Sequence, residues 1–321
     1  MSDMNAAITG GTGFIGSHLA ERLVSSGYRV RCLVRKGSDL HNISGLDVEV
    51  FYGDMRDVDS LKPVVEGADY VFHLAALTLG NTREDFFRVN VTGTENLLNA
   101  CIIHAPHLKK FVHVSSISAV GPRSGIETLS KDPPCRPIDY YGESKSAGEK
   151  IALEYRNRIP LTIIRPSTVY GPRDNNPFTV LRYMKMVRRG FYLLRGSEKQ
   201  YISAIFVSDV VDGIVIAAEN DISRGQKYFL CNEKITSYDE ICKLTSEALQ
   251  RKAIKIRVPD FVLNARAFLK RKRPEGGPLS HTRHWICSSA KAKRDLGIEA
   301  RTPLPDGIKK TVLWYLKHGW I

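Results

Sequence analysis

Tyr141 and Lys145 stand four residues apart in Tyr141-Gly142-Glu143-Ser144-Lys145. On a helix, positions i and i+4 share a face. An ammonium beside a phenol stabilises the phenolate and draws its pKa from about 10 toward neutrality. Such a tyrosine works as a general acid and base. Tyr140 competes for the role, but its i+4 partner is Ser144, so the spacing selects Tyr141. Tyr-x-x-x-Lys alone is most often plain helix surface, and its company decides. Ser115-Ser116 ends an apolar run that reads as a strand, Phe111–Ser115. Open α/β sheets bind their ligands at the carboxyl ends of strands, so a serine hydroxyl there can hold a carbonyl or alcohol oxygen beside Tyr141. An ordinary serine turn is the bland alternative.

A second group opens the chain, Thr9-Gly10-Gly11-Thr12-Gly13-Phe14-Ile15-Gly16. Gly10, Gly13 and Gly16 lie between a predicted strand, Asn5–Thr9, and a predicted helix, Phe14–Ser26. Glycines let the backbone turn tightly and approach a pyrophosphate, while the first N–H groups of the helix, from Phe14 onward, face the anion. A lone glycine triplet signals only a tight turn; strand before and helix after make it a dinucleotide loop.

The end of the second strand bears on which dinucleotide. An acid about 20 residues past the loop binds the ribose 2′-hydroxyl of NAD. The chain offers Val34-Arg35-Lys36 instead. Arg35 suits a 2′-phosphate through paired hydrogen bonds, which favours NADP(H) and leaves NAD(H) open. A simple surface arginine is the competing reading. After the third strand comes Gly53-Asp54-Met55. Asp54 can accept from an adenine amino group, and Met55 is placed beside it in the cofactor set.

These residues need a scaffold, and the first half supplies one. Predicted strands at Asn5–Thr9, Tyr28–Val34, Val48–Tyr52, Tyr70–Leu74, Phe111–Ser115 and Leu161–Arg165 alternate with helices near 14–26, 57–66, 84–104 and 139–157. That rhythm predicts an α/β fold, a doubly wound parallel sheet with helices on both faces. After residue 171 the rhythm breaks at Pro172, Asn175-Asn176 and Pro177. A basic helix (179–189), a strand and helix over Ile205–Glu219, and helices at 237–251 and 305–317 follow. The division expected is 1–171 for the nucleotide-binding part with the catalytic residues and 172–321 mainly for a smaller, interleaved C-terminal substrate-binding lobe. Residues 203–219 are expected to return to the first part.

Composition narrows the class. The 321 residues are 43% hydrophobic and 25% charged, which implies a packed core rather than disorder. No run reaches the roughly 18–20 apolar residues of a membrane span, and no signal peptide is read at the start. Six scattered cysteines without a CxxC pair point to a reducing cytoplasm. His104 and His107 have no ligand set around them, so no metal is expected. Residues 1–150 carry 16 Lys and Arg against 18 Asp and Glu, and the remainder 31 against 16. A solvated basic face explains this, and no stacking-aromatic pattern or helix-turn-helix points to nucleic acid. The segment Phe261–Arg273 is apolar, then strongly basic. It reads as a substrate-lobe helix with a solvated tail, or as an interfacial helix giving peripheral membrane contact.

Taken together, these motifs resemble the extended short-chain dehydrogenase/reductase superfamily, including the NAD-dependent epimerase/dehydratases. The resemblance also rests on His73-Leu74-Ala75-Ala76, Val89-Asn90-Val91, Arg165-Pro166 with Val169-Tyr170-Gly171-Pro172, Val207-Ser208-Asp209 and the C-terminal Lys291–Gly297. It is nearest the dihydroflavonol reductase-like and 3β-hydroxysteroid dehydrogenase-like branch. It implies a Rossmann-type sheet and a homodimer formed through the helices near 84–104 and 139–157. It also implies site roles. Tyr141 is the acid/base, Lys145 holds the nicotinamide ribose and tunes Tyr141, and Ser116 orients the substrate oxygen. Leu74, Ala75 and Ala76 line the cofactor, Asn90 supports the site, and Pro166 and Val169 meet the nicotinamide. One departure stands out. Sugar-nucleotide epimerases usually place an Arg-Asp pair before the Val-x-Asp motif to grip the substrate diphosphate, and here Ile202-Ser203 occupies that place. The expected activity is hydride transfer between a nicotinamide and a ketone or secondary alcohol of a small molecule. The rivals are a nucleotide-sugar epimerase or dehydratase that retains NAD, and a non-catalytic dinucleotide sensor.

Overall fold

In a computed structural model, residues 4–123, 125, 133–177, 179–196, 199–259 and 284–321 are described. Alternate residues of the first strand, β1 (Asn5–Thr9), enter opposite apolar layers: Ala6 and Ile8 one, Ala7 the other. The same alternation runs through β2 (Arg29–Val34), β4 (Tyr70–His73), β5 (Lys110–Val114) and β6 (Leu161–Pro166), so both faces of the sheet are covered. With β3 (Val48–Tyr52) and β11 (Lys227–Leu230), these form seven parallel strands in the order β11-β6-β5-β4-β1-β2-β3. The order reverses between β1 and β4, the place where doubly wound sheets open a crevice for ligands.

One face is packed by α1 (Phe14–Ser25) and α7 (Val207–Glu219), through Leu19, Leu23, Val210 and Ile214. The other is packed by α2 (Lys62–Val65), α4 (Gly93–His104) and α5 (Tyr140–Glu154), through Val64, Leu97, Leu98 and Ala152. Two expected helices differ from their predicted form. That near 57–66 is a 3-10 turn, Asp59–Leu61, leading into the short α2, where Pro63 sits in the first turn and lacks an N–H. That near 84–104 is split into α3 (Arg83–Phe87), a π turn (Arg88–Thr92) and α4. Strand β11 falls beyond the break in the rhythm and was not among the predicted strands; it pairs with β6 and ends the sheet.

The remaining elements are β7 (Thr168–Tyr170), α6 (Val180–Arg188), β8 (Phe191–Arg195), β9 (Tyr201–Ile202), β10 (Ala204–Phe206), β12 (Thr236–Ser237), α8 (Tyr238–Ala248), β13 (Ile254–Val258), α9 (Ala290–Leu296) and α10 (Leu304–Lys317). The strands among them pair only in twos, β7 with β10, β8 with β13 and β9 with β12. Tyr170, Leu181, Met184, Ile241, Ile308 and Tyr315 close a separate apolar cluster there. The segment Phe261–Arg273 lies outside the described residues. Among the described residues, no helix is long and apolar enough to cross a membrane.

Candidate active site

The turn from β1 into α1 has no room for a side chain at Gly10 or Gly16. Gly10 has φ +77°, a conformation that favours glycine, and a Cβ there would stand 2.7 Å from the backbone nitrogen of Ala75. A Cβ on Gly16 would collide with the Gly10 carbonyl oxygen. Gly13 caps α1 and provides no side-chain cap. The first N–H groups of the helix, those of Phe14, Ile15 and Gly16, are thereby left for an anion. All five of these residues line one cleft of about 930 Å³, at the upper end of the roughly 300–1,000 Å³ usual for ligand sites.

The cleft runs both ways from the glycine loop. Toward β2 and β3 it reaches Arg35, Asp54 and Met55. Arg35 is exposed at the mouth. Asp54 is gripped by Arg56, with Nε to Oδ1 and Nη2 to Oδ2 both at 2.8 Å. Those hydrogen bonds hold its carboxyl down at about 2, and Arg35 adds to the effect. Arg56 was not foreseen: its pairing two residues back is a property of the turn, and nothing in the spacing announces it.

In the other direction the cleft passes Leu74, Ala75 and Ala76 and ends among Ser116, Tyr141, Lys145, Pro166 and Val169. Helix α5 brings Tyr141 and Lys145 there, and Asp139 starts that helix by accepting from the Gly142 N–H at 2.6 Å. Ser116 caps the 3-10 turn Ile117–Ala119, accepting from the Ser118 N–H at 3.1 Å. It also shares a side-chain hydrogen bond with Tyr141. Lys145 is buried, and its Nζ donates to the Val114 carbonyl at 2.7 Å.

The expected lowering of the Tyr141 phenol is not what the free structure shows. Burial pushes it up to about 12, against the opposing effect of the Ser116 hydrogen bond. Burial also pulls Lys145 down to about 8, with the Glu149 carboxylate opposing. Desolvation outweighs the helical neighbour because it acts on both partners, disfavouring phenolate and ammonium alike.

Asn90 is the one predicted site residue that does not line the cleft; it stands behind the wall. Its Oδ1 accepts from the Leu77 N–H at 2.7 Å, and its Nδ2 donates to the Leu77 carbonyl at 3.0 Å and to Ser144 Oγ at 2.9 Å. The π turn presents it, and turns of this kind are frequent at functional sites. Beneath α5 the sheet face becomes polar. His73 lies level with His113 on the neighbouring strand, and burial holds both rings neutral. Arg165 and Glu149, both buried, form a fork, Nε to Oε1 at 2.9 Å and Nη2 to Oε2 at 2.6 Å. Among the described residues, the hydroxyls of Ser115 and Ser167 and both ring nitrogens of His113 are buried without a hydrogen-bond partner. The two serines line the cleft. Orphaned hydroxyls at one end, a cradle that a Cβ would fill and an uncapped helix start together fit a dinucleotide.

The far wall is lined by residues that follow the break in the strand–helix rhythm. Asp174 is 2% exposed, accepts from Thr179 Oγ1 at 2.7 Å, and is pushed up by burial to about 6. Trp285 also lines this end. Ile202 is fully buried, and Ser203 Oγ is turned to the Cys287 carbonyl at 3.1 Å, so neither offers a cation to the cleft. The loop before Asp174 is tied to α1: His18 Nε2 donates to the Pro172 carbonyl at 2.9 Å, and Arg173 pairs with Glu21 at 2.8 Å. Arg173 adopts φ +67° to do so.

Similar proteins cover almost the full chain. Sterol demethylase protein B of Methylococcus capsulatus is 28% identical over 99% of this chain and 100% of its own. The sterol-4-alpha-carboxylate 3-dehydrogenase, decarboxylating, of Bos taurus is 29% identical over 95% of this chain and 90% of its own. The solved structure of MoeE5 in complex with UDP-glucuronic acid and NAD superposes with a TM-score of 0.81 at 25% identity, covering 98% of this chain and 99% of that one. The defining pattern of one family matches residues 6–231. The chain belongs to the NAD dependent epimerase/dehydratase family.

Proposed function

We propose that this enzyme is an NADP(H)-preferring dehydrogenase/reductase acting on a ketone or secondary alcohol of a small alicyclic or aromatic molecule, less charged than a nucleotide sugar. The carrying observation is that Ser116, Tyr141 and Lys145 meet at one end of a cleft whose middle is the glycine loop. A dinucleotide held there by the glycine loop and Lys145 would supply or accept the hydride through its nicotinamide. Tyr141 moves the proton: its hydroxyl donates to the carbonyl oxygen as hydride reaches carbon, or takes the alcohol proton in reverse. The phenol held neutral by burial is the donor that ketone reduction needs. Ser116 holds the substrate oxygen beside it, and Lys145 holds the ribose. Arg35, exposed at the adenosine end, supports a 2′-phosphate partner.

For the substrate, the buried Asp174 carboxylate disfavours an anion at the far wall, and the Ile202-Ser203 position brings no cation to offset it. The sterol and sterol-carboxylate names of the relatives agree with an alicyclic skeleton. A homodimer is supported by Ile103 and Tyr140, 67% and 47% exposed on α4 and α5. The second reading, an epimerase or dehydratase with retained NAD, is favoured by the likeness to MoeE5.

Two measurements decide. Cofactor released by denaturing the purified protein is identified; stoichiometric NAD would select the second reading. Turnover of a panel of alicyclic and aromatic ketones is then compared for the wild type and Tyr141→Phe. Loss of about two to four orders of magnitude in kcat, with cofactor affinity kept, is expected. Unchanged turnover in Tyr141→Phe would remove the catalytic assignment.

A further inference from the structure

Lys145 has a second neighbour on its own helix. Tyr141 lies one turn before it and Glu149 one turn after, so α5 turns a phenol, an amine and a carboxylate toward the same side. Glu149 is 3% exposed, and a buried carboxylate survives only with partners. Arg165 supplies them by engaging both oxygens, in the fork that makes Arg–carboxylate pairs directional. Arg165 is itself fixed, its guanidinium 5.4 Å from the centre of the Phe229 ring on β11. The next residue along β6 is Pro166, which lines the cleft.

We propose that the Glu149–Arg165 pair is a positioning device for the reacting Lys145, locking α5 to β6 and fixing a carboxylate one helical turn from the buried amine. This rests on the reading of Tyr141 and Lys145 as the reacting pair. The other groups around the amine leave the task to Glu149. His113 on β5 and His73 on β4 both feel Lys145, and burial keeps both uncharged. Tyr141 is a neutral phenol, and the Val114 carbonyl supplies a dipole but no charge. Arg165 engages both oxygens of the Glu149 carboxylate and so compensates its burial. Glu149 therefore opposes the burial that disfavours an ammonium at this place, and Arg165 holds Glu149 there. An ammonium, not an amine, is the form that can hold ribose hydroxyls by donation alone and stabilise phenolate.

The test uses the double variant Glu149→Leu/Arg165→Met. Replacing a buried ion pair by apolar residues of similar volume is commonly neutral or stabilising, so the fold should persist. The Lys145 titration is read directly in the free protein by nitrogen-15 NMR of labelled lysine, assigned with Lys145→Met. The double variant should move the Lys145 midpoint down by about one pH unit. Turnover at about pH 7.5 should then fall roughly threefold with substrate KM unchanged, and the alkaline limb of the rate profile should shift by the same unit. Glu149→Gln, which keeps the shape and a hydrogen bond to Arg165 but not the charge, should move the midpoint further. A wild-type midpoint or pH profile in either folded variant overturns the proposal, leaving the pair a plain structural cross-link. So does a wild-type Lys145 midpoint below about 6.5, a measurement that needs no folded variant. Failure of the Tyr141 assignment would show separately, as activity retained in Tyr141→Phe.

Discussion

Asn90 donates from Nδ2 to Ser144 Oγ at 2.9 Å, joining the π turn to the helix that carries Tyr141 and Lys145. With its two bonds to the backbone of Leu77, one amide fixes both the cleft wall and the catalytic helix.

Asn90→Ala leaves the Leu77 N–H and carbonyl without that partner in a partly buried place. A stability loss of about 2–3 kcal/mol is expected, read by urea denaturation. Cofactor affinity should weaken with it, because Ala75 and Ala76 precede Leu77 along the same wall. A variant with the wild-type urea midpoint and wild-type cofactor affinity would show the amide to be dispensable.

Asp174 gives a pH signature. Its carboxyl is raised from the usual 3.8 to about 6, so the folded chain binds more protons than the unfolded chain between those values. The stability it contributes is complete below about pH 4 and is lost as pH rises through about 6. Asp174→Asn carries no charge and retains an acceptor for the Asn176 N–H. It should be more stable than wild type by roughly 3 kcal/mol at pH 7.5, and the advantage should vanish by about pH 4. Equal melting differences at the two pH values would contradict this sign.

Arg35→Ser tests the cofactor preference. Charge-assisted hydrogen bonds to a 2′-phosphate are worth about 1.5–3 kcal/mol, so the NADP(H) dissociation constant should rise about 10- to 100-fold. That of NAD(H) should stay within about twofold, as Arg35 has no charged group to meet there. Calorimetric titration with both dinucleotides measures it. Parallel losses for the two would mean that Arg35 does not read the phosphate.

The sheet was legible because its strands are buried on both faces and separated by helices of regular spacing. Asn5–Thr9 and Val48–Tyr52 have the bounds that their apolar runs suggest. Lys227–Leu230 escaped because four residues after a glycine carry too little period to be told from a loop; the strand exists because β6 offers it an edge. The glycine loop, Ser116, Tyr141 and Lys145 were readable because their chemistry fixes both residue type and spacing. Arg56 and Asp174 were not, since what they do depends on a turn and on burial beneath another lobe. The direction of the Tyr141 shift was misjudged for a related reason. Spacing reports who is near, and it is silent on how little water reaches them.

Helix α1 begins at the seat of the pyrophosphate and is gripped one to two turns later by the loop that opens the second lobe. Burial keeps the His18 ring below its ordinary value, so that hold does not depend on a charged imidazole near neutrality. Arg173 meets Glu21 from a backbone conformation that costs a non-glycine residue on the order of 1 kcal/mol. The segment around Arg173 is therefore tied to α1 at two points, His18 and Glu21. One helix thus serves two parts of the cleft: its start opens onto the glycine loop, and its flank holds the segment that leads to Asp174 on the opposite wall.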